Sequence, residues 1–218
     1  MSFPSALDLA GTIDPARSAL VVIDVQTDFA SPGGAMARMG ADLSGVEAAL
    51  DNVETLIAAA RGSGVCVAFA RVVTRPQTDS TALKNLNARK GLAPSALDLC
   101  REGDSGSGYY RVVPLPGEIE VSKRLFSAFH GADLDQRLRE RNVDTLILVG
   151  LTTNCCIDAT ARHGFHLNYN VFVVADATAA YGEEAQRQAL AALAQNCALI
   201  VESAEVRSTW RQARAGPG

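Results

Sequence analysis

Residues 145–165 read TLILVGLTTNCCIDATARHGF. The first six, TLILVG (145–150), form a short apolar run of the kind a strand buried on both faces requires. After a polar turn, CCIDATARHGF (155–165) reads as a helix. A buried strand that feeds a helix is half of a parallel crossover unit, because parallel neighbours cannot be joined by a tight hairpin.

The same unit recurs outward in both directions. Upstream, SALVVID (18–24) reads as a buried strand, and SGVEAALDNVETLIAAARGSG (44–64) as a helix. Ser44 and Glu47 fit a capping box, and Val46, Leu50, Val53, Leu56, Ile57 and Ala60 share one apolar face. Gly62 and Gly64 end that helix. VCVAFA (65–70) is a second strand and EIEVSK (118–123) a third. DLDQRLRERN (133–142) is a short helix with Leu134 and Leu138 inward. Downstream, VFVVAD (171–176) is a fifth strand, EEAQRQALAALAQN (183–196) a helix and CALIV (197–201) a sixth strand.

Six buried strands with helical crossovers imply a three-layer α/β/α fold around a six-stranded, mostly parallel, Rossmann-like sheet. Residues 71–117 break the alternation and read as a long loop with short helices, a length that in a compact domain marks function or mobility. The tail RQARAGPG (211–218) reads as a frayed end.

Bulk properties narrow the function. With 218 residues, one domain over 1–218 is expected. The net charge of −4 argues against nucleic acid or an anionic membrane as the main partner. The start lacks the basic region and apolar stretch of a signal peptide, and no run reaches membrane-span length. Five cysteines are an odd number for a disulfide framework and point to a reducing cytoplasm. No strand is followed by G-x-G-x-x-G, and there is no phosphate-binding G-x-x-x-x-G-K-[ST] loop, which argues against a nucleotide-binding oxidoreductase.

In open α/β sheets ligands bind beyond the carboxyl ends of the strands. Three chemically capable residues fall there: Asp24 closing the first strand, Lys123 closing the third, and Cys156 in the turn after the fourth. Each alone has an ordinary explanation as a turn residue, a solvated cation or a small packed side chain. Together on one rim they make an active-site candidate. Unpaired N–H groups at a helix start, and a nearby lysine, are expected to lower the Cys156 thiol pKa and to offer an oxyanion site.

At these residues the sequence resembles a known family. ALVVIDVQTDF (19–29), VSKRLFSAFHGADLDQRLRERNVDTLILVGLTTNCCIDATARHGF (121–165) and VFVVADATAA (171–180) are similar to the isochorismatase-like cysteine hydrolases. That family includes nicotinamidases and the N-carbamoylsarcosine, ureidoacrylate and biuret amidohydrolases. The similarity runs over about residues 18–205, and D-x-Q, S-K with S-A-F, and G-x-T-T-N-x-C follow in order. It implies Cys156 as nucleophile, two positions after Asn154, with Cys155 in a variable packing position. It implies Asp24 and Lys123 as the other catalytic groups, and a cis peptide at Leu151–Thr152. The N–H groups of Thr152 and Cys156 would hold the oxyanion. The implied reaction is cleavage of a C–N bond in a small amide, carbamoyl or ureido compound through a thioester, releasing ammonia or carbamate. No metal or cofactor is needed for those steps. A homodimer or homotetramer is implied as well.

Departures from the family keep other readings open. The D-x-H metal motif of nicotinamidases is missing from FARVVTRPQ (69–77), and His163 and His166 read as surface or capping residues rather than ligands. Cys156 disfavours an isochorismatase-type vinyl ether cleavage, which needs no cysteine. An isochorismatase-type or nicotinamidase-type hydrolase, though disfavoured, and a non-catalytic Rossmann-like binding or scaffold protein are the alternatives. Candidates for the substrate pocket are Phe29 and Phe129, which flank family motifs, with Tyr109 and Tyr110 as further aromatic walls. Arg71 and Arg75 are candidates to clamp a substrate carboxylate.

Overall fold

The computed structural model describes residues 9–215. Residues 1–8, where the expected absence of a leader was partly read, and the last three residues of the tail lie outside them.

The elements in chain order are β1 (Ser18–Ile23), α1 (Thr27–Ala30), α2 (Ala35–Arg38), α3 (Val46–Gly62), β2 (Cys66–Val72), α4 (Thr81–Arg89), β3 (Ile119–Lys123), α5 (Leu134–Arg139), β4 (Thr145–Leu151), α6 (Asp158–His166), β5 (Asn170–Ala179), α7 (Glu183–Asn196), β6 (Leu199–Val201) and α8 (Ser203–Ala215). The strands form one six-stranded sheet in the order β3-β2-β1-β4-β5-β6, and every pairing between them is parallel. The strand order reverses between β1 and β4, which is where such sheets open a crevice.

Side chains of a strand alternate between faces, so each strand feeds both layers. Leu20, Val22, Phe69, Ile147 and Val149 pack with the apolar sides of α3 and α8. Ala19, Val21, Ile23, Leu146 and Leu148 pack with α5, α6 and α7. Residues at the centre of the sheet are therefore covered twice, which is why β1 and β4 read as unbroken apolar runs.

Several expectations need correction. The capping box at Ser44 and Glu47 is not formed: α3 begins at Val46 after Gly45, and no side chain caps it. Instead, the Ser44 N–H donates to Asp42 Oδ1 at 3.0 Å, a local turn that competes with the cap. β5 runs to Ala179, past the expected end at 176, with a register shift against β4 between Leu148 and Gly150. β6 is only Leu199–Val201, shorter than 197–201. The tail is not frayed from 211, because α8 continues to Ala215. Val206 and Trp210, four apart, bury its inner side, and the Trp210 indole donates to Ile13 O at 3.2 Å. That i, i+4 pair was a readable helix signal.

Gly150 explains how β4 reaches β1 at the crevice. Its φ is +109°, and a Cβ there would lie 2.1 Å from Ile23 O. Only glycine permits that conformation and that backbone approach.

Candidate active site

Asp24 follows β1 directly and takes φ +51°, the left-handed region that aspartate tolerates better than most residues. Its N–H donates to Ala70 O on β2 at 2.9 Å. This turns its side chain out of the strand's alternation. The neighbouring Gln26 fixes the turn: its amide donates to Val72 O at 2.8 Å and Ser107 O at 2.9 Å, and accepts from Val72 N–H at 2.8 Å. A fully buried glutamine thus ties three chain segments together, and the Gln of D-x-Q is structural here.

Lys123 ends β3 and is almost wholly buried, as is Asp24 (1% exposed each). Its Nζ donates to Asp24 Oδ2 at 2.7 Å, to Leu125 O at 3.1 Å and to Cys156 Sγ at 3.4 Å. All three ammonium protons have an acceptor, which is what a buried lysine needs to stay charged. Cys156 lies in a single wide π-type turn over Thr153–Ile157 between β4 and α6, closed by the Ile157 N–H donating to Thr152 O at 3.1 Å. Such turns recur at functional sites. The Leu151–Thr152 peptide bond immediately before it is cis. The S-A-F segment after Lys123 locks onto α6. The Ala128 N–H donates to Thr160 Oγ1 at 3.0 Å, and Ser127 Oγ pairs with His163 Nδ1 at 2.9 Å.

The electrostatics follow from burial. Burial pushes Asp24 above the usual carboxylate range, against Lys123 and the Cys156 thiol. Burial alone would lower Lys123, but the Asp24 carboxylate and Cys156 outweigh it and hold the ammonium above its ordinary value. The contact with Cys155, burial and the Asp24 carboxylate together push the Cys156 thiol well above its ordinary value, with Lys123 opposing them. The sequence led us to expect a lowered thiol pKa. In a site this dry, the Cys155 contact, desolvation and an adjacent carboxylate outweigh the lysine. Asp24 Oδ1 is buried with no hydrogen bond in good geometry, so the carboxylate keeps one acceptor in reserve.

A cavity of about 220 Å³ opens onto this cluster. That is below the roughly 300–1,000 Å³ of pockets for drug-sized ligands, so the space suits a small molecule. Asp24, Thr152, Cys155 and Cys156 lie along it, and Phe29 and Tyr181 supply aromatic walls. The opposite side comes from the irregular segment 71–117, through Leu83 on α4 and through Leu97 and Leu99. Arg101 clamps this cover down, donating to Asp79 at 2.6 and 3.0 Å, to Asp98 at 2.8 and 3.1 Å and to Thr74 Oγ1 at 3.2 Å. These apolar positions escaped the sequence reading because segment 71–117 shows no sustained apolar period, the short α4 included.

Of the residues expected to bind substrate, Phe29 lines the cavity, and the five others are not among its described walls. Phe129 is packed between Tyr169 and His163 in the layer beneath. Tyr109 stands edge-on to Phe69 and donates to Glu120 at 3.0 Å. Arg71 pairs with Glu120 at 3.1 Å beneath the Tyr109 ring, and Arg75 pairs with Glu102. The carboxylates that neutralise both arginines are close in space but distant in sequence. Tyr110 donates to Glu47 at 3.1 Å. His163 is engaged by Ser127, and no group of three or more His, Cys, Asp or Glu among the described residues is arranged to hold a metal ion.

An acid, an amine and a thiol from separate strand ends thus converge beside a small crevice of a Rossmann-ordered sheet. The isochorismatase domain model matches residues 18–205, and the chain belongs to the isochorismatase family of hydrolases. It is 35% identical over 187 residues to the ureidoacrylate amidohydrolase RutB of Methylobacterium radiotolerans, covering 81% of this chain and 72% of that protein. The crystal structure of a cysteine hydrolase from Pseudomonas syringae pv. phaseolicola superposes with a TM-score of 0.79 at 29% identity, over 92% of this chain and 95% of the other. The N-carbamoylsarcosine amidase of Thermoplasma acidophilum superposes with a TM-score of 0.68 at 25% identity, over 86% and 96% of the two chains. No helix among the described residues is long and apolar enough to cross a membrane.

Proposed function

We propose that this hydrolase is a cysteine-dependent amidohydrolase that cleaves the C–N bond of a small amide, carbamoyl or ureido compound. The observation that carries the reading is the Lys123 ammonium bridging Asp24 Oδ2 and Cys156 Sγ at the floor of a small cavity.

Asp24 takes the thiol proton through its free Oδ1, and Lys123 steadies both the carboxylate and the forming thiolate. Deprotonation of the thiol by Asp24 accompanies attack of the sulfur on the carbonyl carbon. The N–H groups of Thr152 and Cys156 receive the oxyanion. Asp24 returns the proton to the departing nitrogen, leaving an acyl or carbamoyl group on sulfur. Water, deprotonated by Asp24, then hydrolyses that thioester and restores the thiol. Ammonia leaves in the first step from a simple amide; an amine and then carbamate leave from a ureido compound. These steps draw on no metal or cofactor. The names of the relatives support the ureido and carbamoyl classes. The five unpaired cysteines support a reducing cytoplasmic setting, and we extend the proposal to a homodimer or homotetramer there.

The test is ammonia release across ureido acids, carbamoyl amino acids, biuret, nicotinamide and maleamate, with Cys156→Ala as the blank. Turnover of at least one compound, lost in that variant, is expected. Silence across the panel, or turnover that survives the substitution, overturns the reading.

A further inference from the structure

Charge around the cavity does not cancel. Asp24 is matched by Lys123, and Asp79 is matched by Arg101. The remaining charged wall is Arg124, directly after Lys123 and exposed at the cavity. Its guanidinium makes no hydrogen bond or ion pair with any described residue. The arginines first suspected, Arg71 and Arg75, are each neutralised by a glutamate, and Arg101 is held by two aspartates. A cavity of about 220 Å³ with one uncompensated positive charge favours a small anion over a neutral molecule of the same shape. Guanidinium also presents paired N–H donors that match a carboxylate. Beside it, the partly exposed ring of Phe126 gives the opening an apolar side.

We propose that Arg124 is a specificity-determining residue that binds the carboxylate of an anionic substrate, so that the natural substrate is a small ureido or carbamoyl acid. This rests on the proposed C–N hydrolysis at Cys156 and narrows its substrate class. Arg124 acts on binding and takes no part in proton transfer.

Two alkylating reagents of nearly equal size separate charge from shape: iodoacetate, an anion, and iodoacetamide, which is neutral. Rates at Cys156 are read by peptide mapping at mildly alkaline pH and low salt, in the intact protein and in Arg124→Gln and Arg124→Lys. The iodoacetate-to-iodoacetamide ratio is expected to fall about tenfold in Arg124→Gln, and to recover partly in Arg124→Lys and shrink with added salt, as one partly screened charge requires. A second arm measures 3-ureidoacrylate against its methyl ester: Arg124→Gln is expected to raise KM for the acid more than for the ester. An unchanged alkylation ratio in Arg124→Gln overturns the assignment. A charge-dependent ratio with no turnover of either ureido compound supports Arg124 as an anion site while counting against the proposed reaction.

Discussion

The Lys123 ammonium donates to Asp24 Oδ2 across 2.7 Å, although 99 positions separate the two residues in the chain. Both are almost fully buried, so neither charge has water to fall back on. Removing one partner of a buried pair leaves the other uncompensated, which costs about 3–5 kcal/mol. Lys123→Met is therefore expected to lose both activity and that much stability in denaturant unfolding. Adding Asp24→Asn to Lys123→Met is expected to restore part of the stability without restoring activity. A double variant less stable than either single one would contradict this account of the pair.

The acid limb of kcat/KM reports ionisation of the base. Burial holds Asp24 above the ordinary carboxylate value, so the limb is expected clearly above pH ~4, with an apparent pKa that belongs to the Asp24–Lys123–Cys156 cluster. The stability signs differ in window. Asp24's raised value contributes stability below its unfolded value of ~3.9, lost as pH rises through the folded value. Lys123's raised value contributes stability below ~10.4, lost as pH climbs through the folded value. A pH–rate profile with its acid limb at or below ~4 would remove Asp24 as the base.

The two adjacent cysteines are expected to part company under substitution. Cys155 lies along the cavity and touches Cys156, so Cys155→Ala is expected to change kcat/KM by less than about tenfold. Cys156→Ala is expected to reduce it to the blank. Equal losses in both variants would assign the chemistry to the pair rather than to one sulfur.

Arg101 holds the cavity cover through Asp79 and Asp98. Replacing it by Met removes several charged hydrogen bonds and leaves the well-buried Asp79 unpaired, at a cost of about 2 kcal/mol. The expected signature is higher KM together with faster proteolysis within the 71–117 segment. Unchanged proteolysis there would mean that the cover is held by its apolar contacts alone.

How much of this was legible before folding depends on the range of each interaction. Periodicity found all six strands and the helices at α3, α5, α6 and α7, because burial on one or two faces is written into neighbouring residues. It gave α4 only as one of the unplaced short helices of 71–117, missed α8, whose apolar positions are sparse, and misplaced the ends of β5 and β6, where tertiary pairing sets the limits. Asp24, Lys123 and Cys156 were visible as residue types at strand ends, and their encounter follows once the strand order is known. Arg71, Arg75, Tyr109 and Phe129 were plausible pocket residues by position, but their glutamate and aromatic partners come from other segments.

The sequence by itself determined a parallel α/β sheet and the chemical types gathered at one end of it, since hydrophobic period and residue identity are local properties. The tertiary structure decided which charges are matched, how dry the thiol is and which side chains wall the cavity. Those depend on partners brought together from distant segments, and on water excluded by packing, neither of which any single stretch of chain encodes.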